Sequence, residues 1–180
     1  MNGKDFTFTE ANLAKVTDIF AKYPEGRKKS AILPLLDLAQ RQNNGHLSKE
    51  SIEYIANMLN ISYIKAYEVA SFYSMFNLNP VGQYHIQICG TTPCWLRGSD
   101  KIKDICKKEL GINIGETTED KIFTLSEVEC LGSCVNSPMV QINDDYYEDL
   151  EEKSMLNILK DLKSGKMLKS GSQIGRQCSK

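Results

Sequence analysis

The feature that most constrains this chain is the placement of four of its six cysteines in two close pairs, each directly after a predicted strand. The first pair is Cys89 and Cys94, with four residues between them, and the second is Cys130 and Cys134, with three. If the two strands are neighbours in one sheet, both loops emerge at the same edge and the four sulfurs converge there. The pattern therefore predicts a site built from four thiols at one edge of a sheet.

The spacing of these cysteines bears on what such a site would hold. Four thiolates suit either a tetrahedral zinc ion or an iron–sulfur cluster. Zinc sites usually take tight C-x2-C pairs, whereas these wider loops, with Gly90 and Gly132, favour the larger [2Fe–2S] cluster because glycine lets the backbone approach its sulfides. A thioredoxin-type redox pair normally has the spacing C-x-x-C, which neither pair has. The residues thus favour a cluster, with zinc, a redox pair and four unrelated thiols as the alternatives.

The two other cysteines and both histidines are predicted to lie outside this site. Cys106 falls on the apolar face of a predicted helix with Ile102, where a free cysteine packs as a small hydrophobe. Cys178 lies far from any partner spacing and is predicted to be an unligated thiol. His46 falls in a predicted loop and His85 on the polar side of a strand. Histidine replaces cysteine in Rieske centres, but four cysteines already complete a ligand set.

Composition narrows the setting in which the chain works. The hydrophobic fraction of 41% and the charged fraction of 25% are those of an ordinary globular protein. The 22 basic and 23 acidic residues nearly cancel, so no footprint for nucleic acid is present. The sequence has no apolar run of about 20 residues that would span a membrane, and its first residues do not resemble a signal or transit peptide. We therefore expect the chain to lie in the reducing cytosol, without direct membrane insertion. In that compartment cysteines more often bind metals or act in catalysis than form disulfides.

The hydrophobic pattern divides the chain into parts with different periods. Over residues 1–80, apolar residues recur at i, i+3 and i+4, as in ILPLLDLA, which predicts a bundle of four helices. From QYHIQIC onward, residues 81–165 follow the order strand, helix, strand, strand, helix, which predicts an α/β domain related in outline to thioredoxin. Residues 166–180 have the composition of an extended polar tail. The predicted fold class is α+β.

Three other stretches receive structural interpretations. The aromatic stripe of Phe72, Tyr73 and Phe76 has helical spacing and is predicted to lie in the core of the bundle. Trp95, beside the first cysteine pair, is also predicted mainly to pack in a core. The acidic stretch DDYYEDLEEK, residues 144–153, is predicted to be a solvated face and the start of a helix, and its first part, DDYYEDL, is also a possible hairpin partner of the strand MVQIN.

Two long stretches resemble one protein family. VASFYSMFNLNPVGQYHIQICGTTPCWLRGSD and LGINIGETTEDKIFTLSEVECLGSCVNSPMVQIND are closely similar to the E subunit, the small iron–sulfur subunit of NADH:quinone oxidoreductase (respiratory complex I). The resemblance extends from Leu47 to the tail motif GSQIGR, and more loosely over the first two predicted helices. It depends on Phe72 and Tyr73, on the spacing of the four cysteines, on GETT at 115–118 and on Gly132. It implies a helical bundle followed by a thioredoxin-like [2Fe–2S] ferredoxin domain.

The resemblance also implies roles for the site residues. Cys89 and Cys94 would hold one iron of a single [2Fe–2S] cluster, and Cys130 and Cys134 the other. The cluster would take single electrons from FMN in a partner flavoprotein subunit, which also binds NADH. The chain itself has no G-x-G-x-x-G after a strand, so NADH is not expected to bind to it.

By the same resemblance, this chain supplies no catalytic residues and is not catalytic alone. It implies further iron–sulfur subunits as partners, and a location at the cytoplasmic face of a bacterial inner membrane, through the complex. The equivalent subunit of an NAD-linked hydrogenase or formate dehydrogenase is the alternative interpretation, and a structural four-cysteine zinc domain is a less favoured one.

Overall fold

A computed structural model describes residues 6–166 and 168–176 of the chain. The chain divides into two compact units, residues 1–81 and residues 82–180, called here the helical unit and the sheet unit. In the described part of the chain, no helix combines the length and the apolar character needed to cross a membrane.

The helical unit is a bundle of short helices, as the i, i+3, i+4 periodicity predicts. Its elements are α1 (Glu10–Ala21), a 3-10 turn (Lys28–Ala31), α2 (Ile32–Gln42), α3 (Lys49–Met58) and α4 (Tyr63–Phe72). Ser48 starts α3, because its side chain accepts a hydrogen bond from the backbone N–H of Ser51. Leu35 and Leu36 of α2 and Ile55 of α3 are completely buried. Burial of such side chains supplies the main stabilisation of the bundle.

The aromatic stripe after α4 does not lie in the core as predicted. Phe76 is buried, but Phe72 is 80% exposed and Tyr73 is 40% exposed. The prediction was wrong for these two residues because it continued the helix, whereas α4 ends at Phe72 and Tyr73 has an extended backbone. Because the three residues are not in one helix, their spacing does not bring them to a common buried face.

The sheet unit contains a five-stranded sheet and three helices. The strands are β1 (Tyr84–Cys89), β2 (Phe123–Val128), β3 (Val140–Ile142), β4 (Asp145–Glu148) and β5 (Gly171–Ser172). The helices are α5 (Thr92–Leu96), α6 (Ser99–Leu110) and α7 (Glu152–Lys163). In the order β2-β1-β3-β4-β5, β1 pairs parallel with β2 and antiparallel with β3, β3 pairs antiparallel with β4, and β4 pairs parallel with β5. This architecture agrees with the predicted α+β class.

Apolar residues from the strands and from the helices α6 and α7 build the core of this unit. Ile86 of β1 and Leu125 of β2 are completely buried, and Met155 of α7 packs in the same cluster. Cys106 of α6 is completely buried beside Ile102, as the sequence predicts. The core thus holds β1 and β2 side by side, and the paired cysteines lie at the end of β1 and in the loops that follow the two strands.

Two segments of the sheet unit differ from the sequence-based expectation. Within the stretch predicted to be a solvated acidic face, Tyr147, Asp149 and Leu150 are buried, so that interpretation was wrong for these residues. In the segment expected to be an extended tail, Gly171–Ser172 pairs with β4. Both differences have the same cause, since β4 is an inner strand that needs a partner on each edge. Cys178 lies outside the described residues.

Candidate functional site

The four paired cysteines lie at one end of the parallel strands β1 and β2. The register places Cys89 opposite Val128, so the chain leaves both strands at the same edge. The chain then reaches Cys94 in the short helix α5, and Cys134 at the start of a 3-10 turn that covers Cys134–Asn136. The strands therefore have the neighbouring arrangement that convergence of the two pairs requires.

The two pairs differ in burial. Cys89 and Cys94 are buried and pack with Met139, which is also buried, and with the partly buried Leu131 and Tyr146. The cysteines of the second pair are exposed. A group held between the pairs would be covered by apolar side chains on one side and would face the surface on the other.

Thr91 connects the two cysteine loops. Its hydroxyl oxygen lies 3.3 Å from the sulfur of Cys89, and the same side chain lowers the pKa of Cys130. Leu131, from the second loop, packs against Cys89 and Cys94, and its backbone N–H lowers the pKa of Cys89. The sulfurs of Cys130 and Cys134 are 3.4 Å apart. The first pair is thus in contact with the loop that carries the second.

In the first pair, the two thiols have opposite pKa shifts. Burial raises the pKa of Cys89, but hydrogen bonds from Thr91, from Cys94 and from the Leu131 N–H outweigh burial, so the pKa is lowered. Burial raises the pKa of Cys94 to about 12, and its hydrogen bond to Cys89 acts in the same direction. Within the first pair, Cys89 therefore loses its proton more readily than Cys94.

The second pair repeats this asymmetry. The backbone N–H of Gly132 is the main cause of the lowered pKa of Cys130, followed by the hydrogen bond from Cys134. Gly132 has φ +86°, a conformation that glycine adopts without strain and that directs its N–H back to the sulfur. The pKa of Cys134 is raised, first by its hydrogen bond to Cys130 and then by burial. In each pair, one cysteine thus has a lowered pKa and the other a raised one.

The chemistry of this donor set fits a metal-containing group. Thiolate is the form of cysteine that binds metals, and binding replaces the remaining protons. Charge on Cys134 raises the pKa of Cys94 in the other pair, so sulfurs of both pairs act on one another. Among residues 6–166 and 168–176, no group of three or more His, Cys, Asp or Glu side chains could hold a metal ion. A metal-containing group would therefore have to be held by the two separate cysteine pairs, whose loops are connected through Thr91 and Leu131.

Strand β4 supports the second cysteine loop. The Tyr146 hydroxyl donates to the carbonyl of Leu131 at 2.8 Å, and the Asn136 amide donates to the Glu148 carboxylate at 2.9 Å. Ser133 donates to the same carboxylate. The sequence predicts a possible hairpin between DDYYEDL and the preceding strand, which β3 and β4 form, but it gives no signal for these contacts with the second cysteine loop.

Large apolar side chains flank the cysteine loops on the surface. Trp95 and Leu96 belong to α5, which carries Cys94, and Val135 directly follows Cys134. Trp95 is 56% exposed and Val135 is 76% exposed. The prediction of core packing for Trp95 was therefore wrong, because α5 is a single short helix that buries Cys94 and directs its neighbours outward. Exposed apolar side chains in such a group are typical of a surface that a partner covers.

Comparison with known proteins identifies the relatives of this chain. Residues 16–163 match the model of the thioredoxin-like [2Fe-2S] ferredoxin family. The E subunit of the NADH-quinone oxidoreductase of Rickettsia felis is 65% identical over 155 residues, which cover 86% of this chain and 93% of the relative. The mitochondrial NADH dehydrogenase [ubiquinone] flavoprotein 2 of Dictyostelium discoideum is 53% identical over 97% of this chain and 70% of its own length.

A solved structure also resembles the fold. The crystal structure of an NAD+-reducing [NiFe]-hydrogenase in the air-oxidized state contains a chain that matches 72% of this one, with a TM-score of 0.64 and 18% identity. The match spans 23% of that hydrogenase chain. At this identity the likeness is one of fold alone.

Proposed function

The chain belongs to the thioredoxin-like [2Fe-2S] ferredoxin family and, within it, to the E subunits of NADH-quinone oxidoreductases, and from this we propose that its four paired cysteines hold one [2Fe–2S] cluster. Membership makes the chain an electron-transfer component of an oxidoreductase built from several different subunits. In our assignment, Cys89 and Cys94 ligate one iron, and Cys130 and Cys134 ligate the other.

The observation that carries this assignment is the contact between the two cysteine loops. Leu131 of the second loop packs against Cys89 and Cys94 of the first, and Thr91 contacts the sulfur of Cys89 and lowers the pKa of Cys130. Two cysteine pairs on loops in contact match the two pairs of ligands that a two-iron cluster needs. Neither pair is used as a disulfide, since all four cysteines are free.

When bound, the cluster supplies a one-electron redox centre. The chain holds it through four thiolates, whose orientation depends on hydrogen bonds from Thr91 and from the N–H groups of Leu131 and Gly132. Met139 covers the buried side and excludes water there. The second pair lies at the surface, so the shortest path for an electron that arrives from a partner is on this side.

We propose that reduced FMN in a partner flavoprotein subunit, which also binds NADH, is the electron donor. The exposed Trp95, Leu96 and Val135 beside the cysteine loops support a partner surface at this position. Further iron–sulfur subunits complete the complex in our proposal. The complex would hold this chain at the cytoplasmic face of a bacterial inner membrane.

Sequence identity favours this assignment over the equivalent hydrogenase module. The identity to the E subunit of Rickettsia felis is 65%, whereas the identity to the hydrogenase chain is 18%. Isolation of the native complex, followed by identification of its flavin subunit and by assays with quinone, hydrogen and formate, distinguishes the parent complexes. NADH-dependent quinone reduction supports the proposal, and hydrogen or formate oxidation without it contradicts the proposal.

Metal analysis of the isolated chain tests the cluster directly. The full chain is produced under iron-replete, anaerobic conditions and analysed for iron, acid-labile sulfide and zinc. We expect about two irons and two sulfides per chain, with visible bands that bleach with dithionite and an EPR signal after reduction. A colourless chain with stoichiometric zinc would contradict the proposal and support a structural zinc domain.

A further inference from the structure

An ion pair with a buried carboxylate joins the segment after α7 to Asp149, the residue that follows β4. The Arg176 guanidinium donates from Nη2 to Oδ1 of Asp149 and from Nε to Oδ2, the second at 3.4 Å. The Asp149 side chain is only 4% exposed, whereas the Arg176 side chain is 44% exposed. Burial of an unpaired carboxylate costs free energy, so Asp149 depends on Arg176 as its partner.

The same pair is attached to the second cysteine loop. Arg176 also donates to the backbone carbonyl of Val135, the residue after Cys134. The backbone N–H of Asp149 donates to the carbonyl of Asn136 at 2.7 Å. The pair therefore binds the loop backbone at two consecutive residues directly after Cys134.

Ser172 of β5 closes the arrangement. Its hydroxyl donates to Oδ2 of Asp149 at 2.7 Å and accepts the backbone N–H of Arg176 at 3.0 Å. Asp149 has φ +53°, a left-handed conformation that is strained for a residue other than glycine and persists where surrounding contacts hold it. Loss of Arg176 or of Ser172 would thus leave the buried charge of Asp149 less well paired and its strained backbone less well held.

We propose that Arg176, Asp149 and Ser172 form a clamp that fixes the loop over residues 130–136 and thereby positions Cys130 and Cys134. This inference depends on the proposed role of these cysteines as cluster ligands. The clamp is an ion pair without net charge, so it acts through geometry: it limits opening of the loop, which is the step that exposes the cluster to a chelator. The segment that contains GSQIGR is then part of the cluster-binding structure.

The test compares four full-length variants. Arg176→Gln removes the charge and the fork of donors, Arg176→Lys keeps the charge with a single donor group, and Ser172→Ala removes one hydrogen bond. Lys166→Gln is the matched control, because Lys166 pairs with Asp161 on the surface and is not in the clamp. Loss of the visible bands to an iron chelator is measured for each cluster-loaded chain. Amide hydrogen exchange over residues 131–136 is measured on the cluster-free chains.

We expect Arg176→Gln to lose the cluster roughly tenfold faster than the parent chain, as outer-shell changes typically weaken metal binding by at least this factor. Arg176→Lys and Ser172→Ala should be intermediate, and Lys166→Gln should match the parent. Residues 131–136 should exchange faster in the cluster-free Arg176→Gln chain. Parental rates of cluster loss and exchange in this variant overturn the clamp.

Two further outcomes are decided by the same data. If Arg176→Gln unfolds as judged by far-UV circular dichroism, Ser172→Ala decides: faster exchange over residues 131–136 supports the clamp, and the parental rate overturns it. If the parent chain binds no cluster, the proposed function fails, while exchange in the cluster-free variants still supports or overturns the clamp.

Discussion

The hydroxyl oxygen of Thr91 lies 3.3 Å from the sulfur of Cys89. Thr91 precedes α5, yet its side chain makes no capping hydrogen bond to that helix. The hydroxyl is instead directed to sulfur, and it reaches Cys130 in the second loop as well. A hydrogen bond to a ligand sulfur stabilises the more negatively charged, reduced form of a cluster, so in the proposed assignment Thr91 would raise the reduction potential.

We predict that Thr91→Val lowers the midpoint potential of the cluster. Loss of about 1 kcal/mol of preferential stabilisation corresponds to a decrease of roughly 40 mV for a one-electron couple. A redox titration followed by EPR measures the change. Thr91→Ser should return the potential close to the parental value, and Thr92→Val, at the exposed neighbouring position, should leave it unchanged. An unaltered potential in Thr91→Val would contradict the role of this hydrogen bond.

We predict that alanine at any one of the four paired cysteines removes or damages the cluster. Each change deletes a thiolate ligand, whereas Cys106→Ala and Cys178→Ala should keep iron, sulfide and the EPR signal of the parent chain. Iron and sulfide content per chain, with circular dichroism as a control for folding, gives the answer. An intact and unaltered EPR signal in Cys130→Ala would refute the ligand assignment.

We predict that Cys106 is inert to alkylation in the folded chain. Burial raises the pKa of its thiol from 9.0 to about 12, which lowers the thiolate fraction near pH 8 by about a thousandfold. Iodoacetamide should therefore modify Cys106 only after denaturation, as peptide mass spectrometry of native and denatured samples would reveal. Rapid labelling of Cys106 in the native chain would show that α6 opens readily.

We predict that the sheet unit loses stability as the pH falls below about 6.5, partly through His85. Burial lowers the pKa of His85 from 6.5, and its Nε2 lies 2.8 Å from the hydroxyl of Ser126. The unfolded chain binds a proton at this histidine near pH 6.5, while the folded chain binds it only at lower pH, so protonation favours unfolding in this window. Urea unfolding at pH 7.5 and pH 5.5 should show a smaller loss for His85→Gln than for the parent. Equal losses would exclude His85 as a cause.

We predict that Gly82→Ala destabilises the sheet unit by about 1–3 kcal/mol, the usual cost of overpacking. A Cβ atom at this position would lie 2.8 Å from the backbone N and C atoms of Phe123, and backbone held in paired strands has little room to shift. Gly90→Ala is the comparison, because its Cβ would meet only the side chain of Glu127, which can rotate away. The thermal midpoint of unfolding should be lower for Gly82→Ala than for Gly90→Ala. A lower midpoint for Gly90→Ala would contradict this steric explanation.

Much of the fold could be predicted from the sequence because its signals are local. The alternation in QYHIQIC marks β1, which the structure has as Tyr84–Cys89, and the helix predicted to carry Ile102 and Cys106 is α6, Ser99–Leu110. These patterns depend on neighbours within one or two turns or pleats. The pairing of β1 with β2 also follows the expectation from the two cysteine pairs.

The supporting contacts of the site could not be predicted, because each joins residues that are distant in the sequence. Arg176 and Asp149 are 27 positions apart, and neither lies in a motif that indicates the other. The structure buries Tyr147, which was predicted to be solvated, and exposes Trp95, which was predicted to lie in a core. Both depend on which neighbours the fold supplies to a short strand or a single helical turn.

The contact between Arg176 and the carbonyl of Val135 spans 41 positions of the chain. Synthesis proceeds from the N-terminus, so the ribosome releases all four paired cysteines well before residue 176. A nascent chain at that stage carries its thiols on a loop that is still missing this contact. If Arg176 holds this loop as proposed, stable binding of iron and sulfide would be favoured only after the segment that contains Arg176 has left the ribosome, so that the thiols would be made before the loop could hold a cluster firmly.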